Sequence, residues 1–269
     1  MTDKMQATDP GTLWDVMDPA RANALCATLG LAPLDPEAPL PPFFHQIYFW
    51  NIQPTENLGR DGVPTHGEGI PDFGLPRCLW AGGELTFLAP LMAGVPAQKS
   101  TRIMSSKRKS GRSGPMGFVT LEHDIHQGGT LCVRERKDLV YLEDPSPAAP
   151  PATLRSAPTD EQSAERVHFP QTLLFRYSAL TFNAHRIHYD QDYTRDVEGY
   201  GALLVQGQLL AQILMLKATQ ECGPLAQFKY RAVSPVLHRD QVEVCRKDNA
   251  LWVRGPDGQL CMSATVKTA

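Results

Sequence analysis

Several features that would assign a chain to a class at once are missing from this one. Its six cysteines (Cys26, Cys78, Cys132, Cys222, Cys245, Cys261) form no C-x-x-C pair. That spacing excludes a disulfide frame and a zinc site of the usual kind, and the thiols read as buried or idle in a reducing compartment. No apolar run approaches the roughly 20 residues of a membrane-spanning helix; Leu209 to Leu216 is among the longest. The N-terminal MTDKMQATDPG lacks the apolar core of a signal peptide. A formal net charge of −3 leaves no general nucleic-acid footprint, although basic residues gather between Lys99 and Arg112. The expectation is a cytoplasmic protein with neither nucleic acid nor membrane as partner.

What is present is an ordinary globular composition, 42% hydrophobic and 20% charged over 269 residues, enough for one large domain or two small ones. Asp18 to Gly30 reads as a short helix, with Asp18 as N-cap, Pro19 at the first helical position and Gly30 closing the end. A proline-rich connector follows, and then the aromatic run Phe43 to Trp50, which reads as a strand. From Gln53 to Pro76 glycine and proline dominate, predicting a long irregular loop that could act as a substrate-side flap. Strands are predicted across Arg77 to Phe118, with a turn at Ser110 to Gly114, and a further strand pair element at Gly129 to Leu142. Asp144 to Pro158, rich in Pro, Ala and Ser, marks a linker. In the second half one strand is expected to lead into a polar cluster. A helix follows over about Gly207 to Glu221, then strands at Phe228 to Val233, Asp240 to Arg246, Ala250 to Arg254 and Leu260 to Val266. GPDGQ (Gly255 to Gln259) supplies a hairpin turn.

The two halves carry a weak internal repeat. Leu85 to Ile103 resembles Phe228 to Arg246, each with a strand, a proline (Pro90, Pro235), a turn and a second strand. Gly128 to Val140 resembles Asp257 to Lys267, with G-x-L-C shared at Gly129 and Gly258. Two copies of one β-rich module follow, only the second keeping a long apolar helix.

The densest chemistry lies in FRYSALTFNAHRIHYDQDYTRDVEGYGALLVQGQLLAQILMLK, Phe175 to Lys217. Asn183, His185, Arg186, His188, Tyr189 and Asp190 come first. A glycine-punctuated loop (Gly199, Gly201) and Gly207 at a helix start come next, followed by apolar Leu209 to Leu216. A polar cluster ahead of a free helix N-terminus suits a thioester site: side chains move the proton and backbone N–H groups face the carbonyl. His185 and His188 bring no third ligand at a sensible spacing, so no metal is expected. His185 reads as a hydrogen-bonded structural residue, and Leu209, Leu210, Ile213, Leu214 and Leu216 as the core face of the central helix.

Residues 172–269 resemble the MaoC-like, hydratase-2 hotdog domain, whose signature runs aspartate, any residue, Asn-Pro, an aliphatic residue, histidine. His188 falls on the signature histidine, Asn183 on the aspartate, His185 on the asparagine and Arg186 on the proline. Gly207 falls on the glycine of a V-x-H-G element in which Gln206 replaces the histidine. FRYSALTFNAHRIHYDQDY, WAGGELTF and KRKSGRSGPMGFV are similar to the type 2 hydroxyacyl-thioester dehydratases and to mesaconyl-C4-CoA (3-methylfumaryl-CoA) and itaconyl-CoA hydratases. That likeness covers nearly the whole chain.

The resemblance implies an α+β double hotdog: a degenerate dehydratase-like module at 1–143, a linker at 144–165 and a working module at 166–269. It implies a hydro-lyase that needs no cofactor and reversibly hydrates an enoyl-CoA, a C5 dicarboxyl one going to citramalyl-CoA. It also implies a homodimer. The alternatives are an (R)-3-hydroxyacyl-thioester dehydratase of fatty-acid metabolism and a hotdog protein that binds acyl thioesters without turning them over. His188 is then the base and Gly207 the thioester-carbonyl donor. Asn183, an amide, can hold water or substrate but cannot take a proton, which leaves the transfer to His188 alone or with Asp190 or Tyr189. A free substrate carboxylate needs a cation, with Arg186, Arg176 and Arg102 as candidates and Tyr189 and Lys107 as further substrate contacts. Lys99, Arg102, Lys107, Arg108, Lys109 and Arg112 could hold CoA phosphates.

Overall fold

The computed structural model describes residues 11–65, 69–111, 114–145 and 154–269. In chain order its elements are β1 (Thr12–Asp15), α1 (Pro19–Leu29), β2 (Arg77–Phe87), β3 (Ala97–Gly111), β4 (Gly114–Gln127), β5 (Thr130–Leu142), β6 (Ser163–Val167), α2 (Gln171–Leu180), α3 (Gln191–Asp196), α4 (Gly207–Cys222), β7 (Leu225–Ala232), β8 (Val242–Lys247), β9 (Ala250–Arg254) and β10 (Leu260–Thr268). One antiparallel ten-stranded sheet runs β1-β3-β4-β5-β2-β7-β10-β9-β8-β6. Its order is the same read from either edge: each half contributes five strands in equivalent places, and the halves join where β2 pairs β7. At that seam Leu85 lies opposite Phe228, both fully buried. Among the described residues no helix is long and apolar enough to cross a membrane.

The internal repeat is visible bond by bond. Leu88 and Ala89 N–H both donate to the Cys132 carbonyl, and Val233 and Ser234 N–H both donate to that of Cys261. Leu40 N–H donates to Leu91 O as Val205 N–H donates to Val236 O. Positions 40 and 205 are therefore equivalent, and the halves diverge just after them. Val205 leads into the sixteen residues of α4. Leu40 leads into Pro41, Pro42 and a four-residue 3-10 turn, Phe44–Ile47.

This corrects the strand expected at Phe43 to Trp50. Aromatics favour strands in general, but Phe43 and Phe49 both adopt positive φ (72° and 57°), which no strand permits. The run instead packs inward, Phe43 against Trp80 and Tyr230 with ring centroids 5.9 and 6.3 Å apart. It stands where the first half's equivalent of α4 would begin. Phe73 of the loop after it lies on Val119, Leu121 and Leu139. Gly117 makes the close approach possible, since a Cβ there would meet the Phe73 ring at 2.6 Å.

α4 buries residues around its whole circumference, including Gln212 and Lys217, as expected of a helix enclosed by sheet. Both polar members donate: Gln212 Nε2 to Pro42 O at 2.9 Å and Lys217 to Glu221 at 2.6 Å. A second correction concerns the approach to the polar cluster. After β6 the chain forms helix α2, which places Leu174, Tyr177 and Ser178 on one buried face. Gly129 to Leu142 proves to be one strand, β5, with its turn. The turn at Ser110 to Gly114 and the linker at Asp144 to Pro158 lie partly outside the described residues.

Candidate active site

A cavity of about 1010 Å³ opens on the helix side of the sheet, crossing the seam between the halves. The second half contributes Asn183, His185, His188, Val205, Gly207, Gln208 and Ser234. The first contributes Asp61, Lys99, His123, Glu135 and Lys137, with the loop side chains Ile70 and Phe73. The long Gly/Pro loop is thus a wall of the cavity.

Local bonds build the polar segment. α2 ends at Leu180, Phe182 takes positive φ (51°), and Asn183 N–H donates to Ser178 O at 2.8 Å. Asn183 Oδ1 then accepts the His185 N–H at 3.1 Å, an Asx-type turn that leaves the Asn183 amide N–H groups for other work. A 3-10 turn, Arg186–His188, closes the segment. Leu204 N–H donates to Ile187 O at 2.9 Å, and the His188 Nδ1–H donates back to Leu204 O at 2.8 Å. A carbonyl can only accept, so this bond fixes the tautomer: His188 carries its proton on Nδ1 and keeps the Nε2 lone pair. Burial holds its pKa down to about 4, with the Leu204 bond partly offsetting that, so the ring is neutral near pH 7. His185, edge-to-face on His188 with centroids 5.4 Å apart, is pushed down to about 3, by burial first and then by His188 and Arg77.

Gly207 is the first residue of α4, and no side chain caps that helix start. A Cβ added at Gly207 would meet no atom within 4 Å, so any side chain there would enter open cavity space. Gln206, fully buried, donates to Leu174 O and Ser178 Oγ, each at 2.9 Å, and ties the helix start to α2.

Other expected substrate contacts stand elsewhere. Arg186 pairs with Asp190 at 2.8 Å and lies over the Tyr193 ring at 4.2 Å, outside the cavity wall. Arg176 is exposed on α2. Arg102 is held by Glu122 and Asp124, which Arg134 also contacts. It lies two residues from Asp124 across the β3–β4 ladder, on the opposite face from His123 and Ile125. Tyr189 donates to Ala184 O at 3.0 Å and points outward. Lys107 is exposed on β3. Of the basic stretch Lys99 lines the cavity, while Arg112 lies outside the described residues.

The cavity holds polar residues that inspection of the sequence missed. Glu135 is buried and accepts from Gln46 at 2.9 Å, with His45 Nε2 3.0 Å away. Burial alone would raise its pKa; the bond and charge of His45 outweigh that and hold it at about 2. Asp61 is also buried, and His123, Glu135 and Lys137 occupy alternate inward positions of β4 and β5. Polar residues at inward strand positions are the one signal that could have marked them.

One ten-stranded sheet built from two equivalent halves around one retained helix is a double hotdog, and His188 and the first residue of α4, Gly207, both line its cavity. Residues 43–238 match the family described as hydroxyacyl-thioester dehydratase type 2, and the chain belongs to that family of hydro-lyases. It is 39% identical over 255 residues to a mesaconyl-C(4)-CoA hydratase of Chloroflexus aurantiacus, covering 92% of this chain and 91% of the relative. The fold is similar to that of HtdX of Mycobacterium tuberculosis (TM-score 0.68, 16% identity, 96% of this chain and 100% of that one). It is also similar to a second protein of that organism described as a double hotdog (TM-score 0.60, 13% identity, 97% and 96%).

Proposed function

We propose that the chain adds water reversibly to a short enoyl-CoA bearing a second carboxylate, mesaconyl-C4-CoA or itaconyl-CoA, giving citramalyl-CoA. The observation that carries this reading is the first half's cavity wall. Beside apolar members such as Phe73, Trp80 and Leu139, that wall carries Lys99, His123 and Lys137, polar and cationic groups that suit a second substrate carboxylate and that a purely aliphatic chain would not need. The C. aurantiacus relative's name supports the same substrate class.

The chemistry follows from the geometry. The thioester carbonyl faces the Gly207 N–H and the start of α4, where the helix dipole stabilises the charge that grows on oxygen. His188 Nε2 takes a proton from water as the water oxygen adds to the β-carbon. Asn183 donates an amide N–H to the water or to the substrate. The test is a panel of mesaconyl-C4-CoA and crotonyl-CoA, followed by loss of enoyl-thioester absorbance, and itaconyl-CoA, whose double bond is not conjugated to the thioester, followed by formation of citramalyl-CoA. Turnover of the dicarboxyl substrates supports the reading. Turnover of crotonyl-CoA alone moves the chain to the second reading, dehydration of hydroxyacyl thioesters, which the family description favours.

We place the protein in the cytoplasm as a homodimer. Among the described residues β1 and β6 are the outer strands of the sheet, and Trp14 on β1 is 60% exposed. Sedimentation at the mass of one chain refutes the dimer.

A further inference from the structure

The hydratase mechanism leaves one step without a residue: the α-carbon must receive a proton, and His188 must lose the one it took. Three carboxylates line the cavity among the described residues: Asp61, Asp72 and Glu135. Asp72 is exposed and accepts the Gly74 N–H at 2.7 Å. Glu135 is committed to His45 and Gln46.

Asp61 differs from both. It is 5% exposed, and its Oδ1 accepts the Val63 N–H at 3.0 Å while Oδ2 lies 3.9 Å from His185 Nε2. It belongs to the first half, yet it is fastened to the polar segment of the second. Arg186 N–H donates to Asp61 O at 2.8 Å, and Arg186 Nη1 donates to Arg60 O at 3.0 Å. Gly62, at φ +84°, lies so close that a Cβ would collide with the Ala184 carbonyl oxygen.

Resting on the hydratase reading, we propose that Asp61 supplies the carboxylate that Asn183 lacks, receiving the proton His188 takes from water and delivering it to the α-carbon. For mesaconyl-C4-CoA the balance closes on one water molecule. Its hydroxyl oxygen bonds to the β-carbon, and the double-bond pair moves through the α-carbon onto the thioester oxygen. The proton released to His188 Nε2 passes to the Asp61 carboxylate through cavity water. It then bonds to the α-carbon as the thioester carbonyl re-forms. Both groups end as they began.

The environment suits each role. A buried imidazolium at His188 is unfavourable and must discharge. Burial raises the Asp61 pKa, more than its backbone N–H bonds lower it, so the carboxylate is a better proton acceptor than one in water.

The experiment compares wild type with Asp61→Asn and Asp61→Ala on mesaconyl-C4-CoA, checking the fold by circular dichroism. We expect kcat to fall about 100-fold or more in Asp61→Asn with KM within about threefold, the size of effect a proton-transfer group carries. Formate, a small carboxylate, should restore about tenfold of the loss in Asp61→Ala and none in Asp61→Asn, because only the former leaves space for it. Wild-type turnover with Asp61→Asn within about threefold overturns the proposal and leaves the hydratase reading intact. A large loss that formate does not relieve also overturns it, assigning Asp61 a structural role. A wild type that hydrates no enoyl thioester overturns the hydratase reading and the proposal with it.

Discussion

Two neutral histidines buried in one site should make the fold lose stability well above the usual acid range. An unfolded-chain histidine titrates near 6.5, whereas His188 and His185 sit at about 4 and about 3, in both cases chiefly through burial. Protonation therefore favours the unfolded chain. At pH 7.5 neither state carries these protons and their effect is nil. At pH 5.5 the unfolded chain binds nearly two that the folded chain refuses, a slope of roughly 2.4 kcal/mol per pH unit. Integrated from pH 7.5 to 5.5, the loss is about 2.7 kcal/mol, shared almost equally between the rings. Asp61 works the other way, since its raised pKa lets the folded state take a proton before the unfolded chain does. Glu135, depressed to about 2, keeps its full stabilising contribution until the pH falls below about 4.5. Urea titrations at pH 7.5, 6.5 and 5.5 measure the slope, and His188→Gln should halve it. A stability constant within about 0.5 kcal/mol over that range, or an undiminished slope in the variant, would refute the assignment of neutral buried rings.

Further outcomes are expected. Glu198→Ala leaves Arg77, paired with it at 2.6 Å and 8% exposed, as an uncompensated buried charge, at a cost of about 3–5 kcal/mol in denaturant titration. Gly62→Ala should cost about 1–3 kcal/mol through strain at positive φ, and should lower kcat by shifting Asp61 away from His185. Lys137→Met should raise KM at least about tenfold for the dicarboxyl substrates while leaving crotonyl-CoA nearly unaffected, if that lysine helps hold the second carboxylate.

Signals carried within one element were legible in the sequence. The apolar run of α4, the hairpin at Gly255 to Gln259 and the cap residues Asp18 and Gly30 each act over a few neighbours, and the structure forms the helix, the turn and the caps there, although Ile213 and Leu216, read as core, are only half-buried. The aromatic run at Phe43 to Trp50 misled because its conformation is set by what it replaces, a helix that Pro41 and Pro42 no longer start. α2 escaped because only Leu174, Tyr177 and Ser178 mark its buried face, too few for a clear period. Side-chain partnerships across the sheet were invisible. Arg102 read as an available cation until β4 brought Glu122 and Asp124 beside it. Asp61, alone in a glycine-rich loop, gained meaning only when the fold set it against His185.

The central claim is that His188 and the start of α4 run a thioester hydration. Its most direct test follows loss of enoyl absorbance with mesaconyl-C4-CoA for wild type and His188→Gln. Hydration by the wild type with kcat lower by about 100-fold or more in the variant, at similar KM, is the expected result. Equal rates in the two proteins, or binding of the thioester by the wild type without turnover, would contradict it.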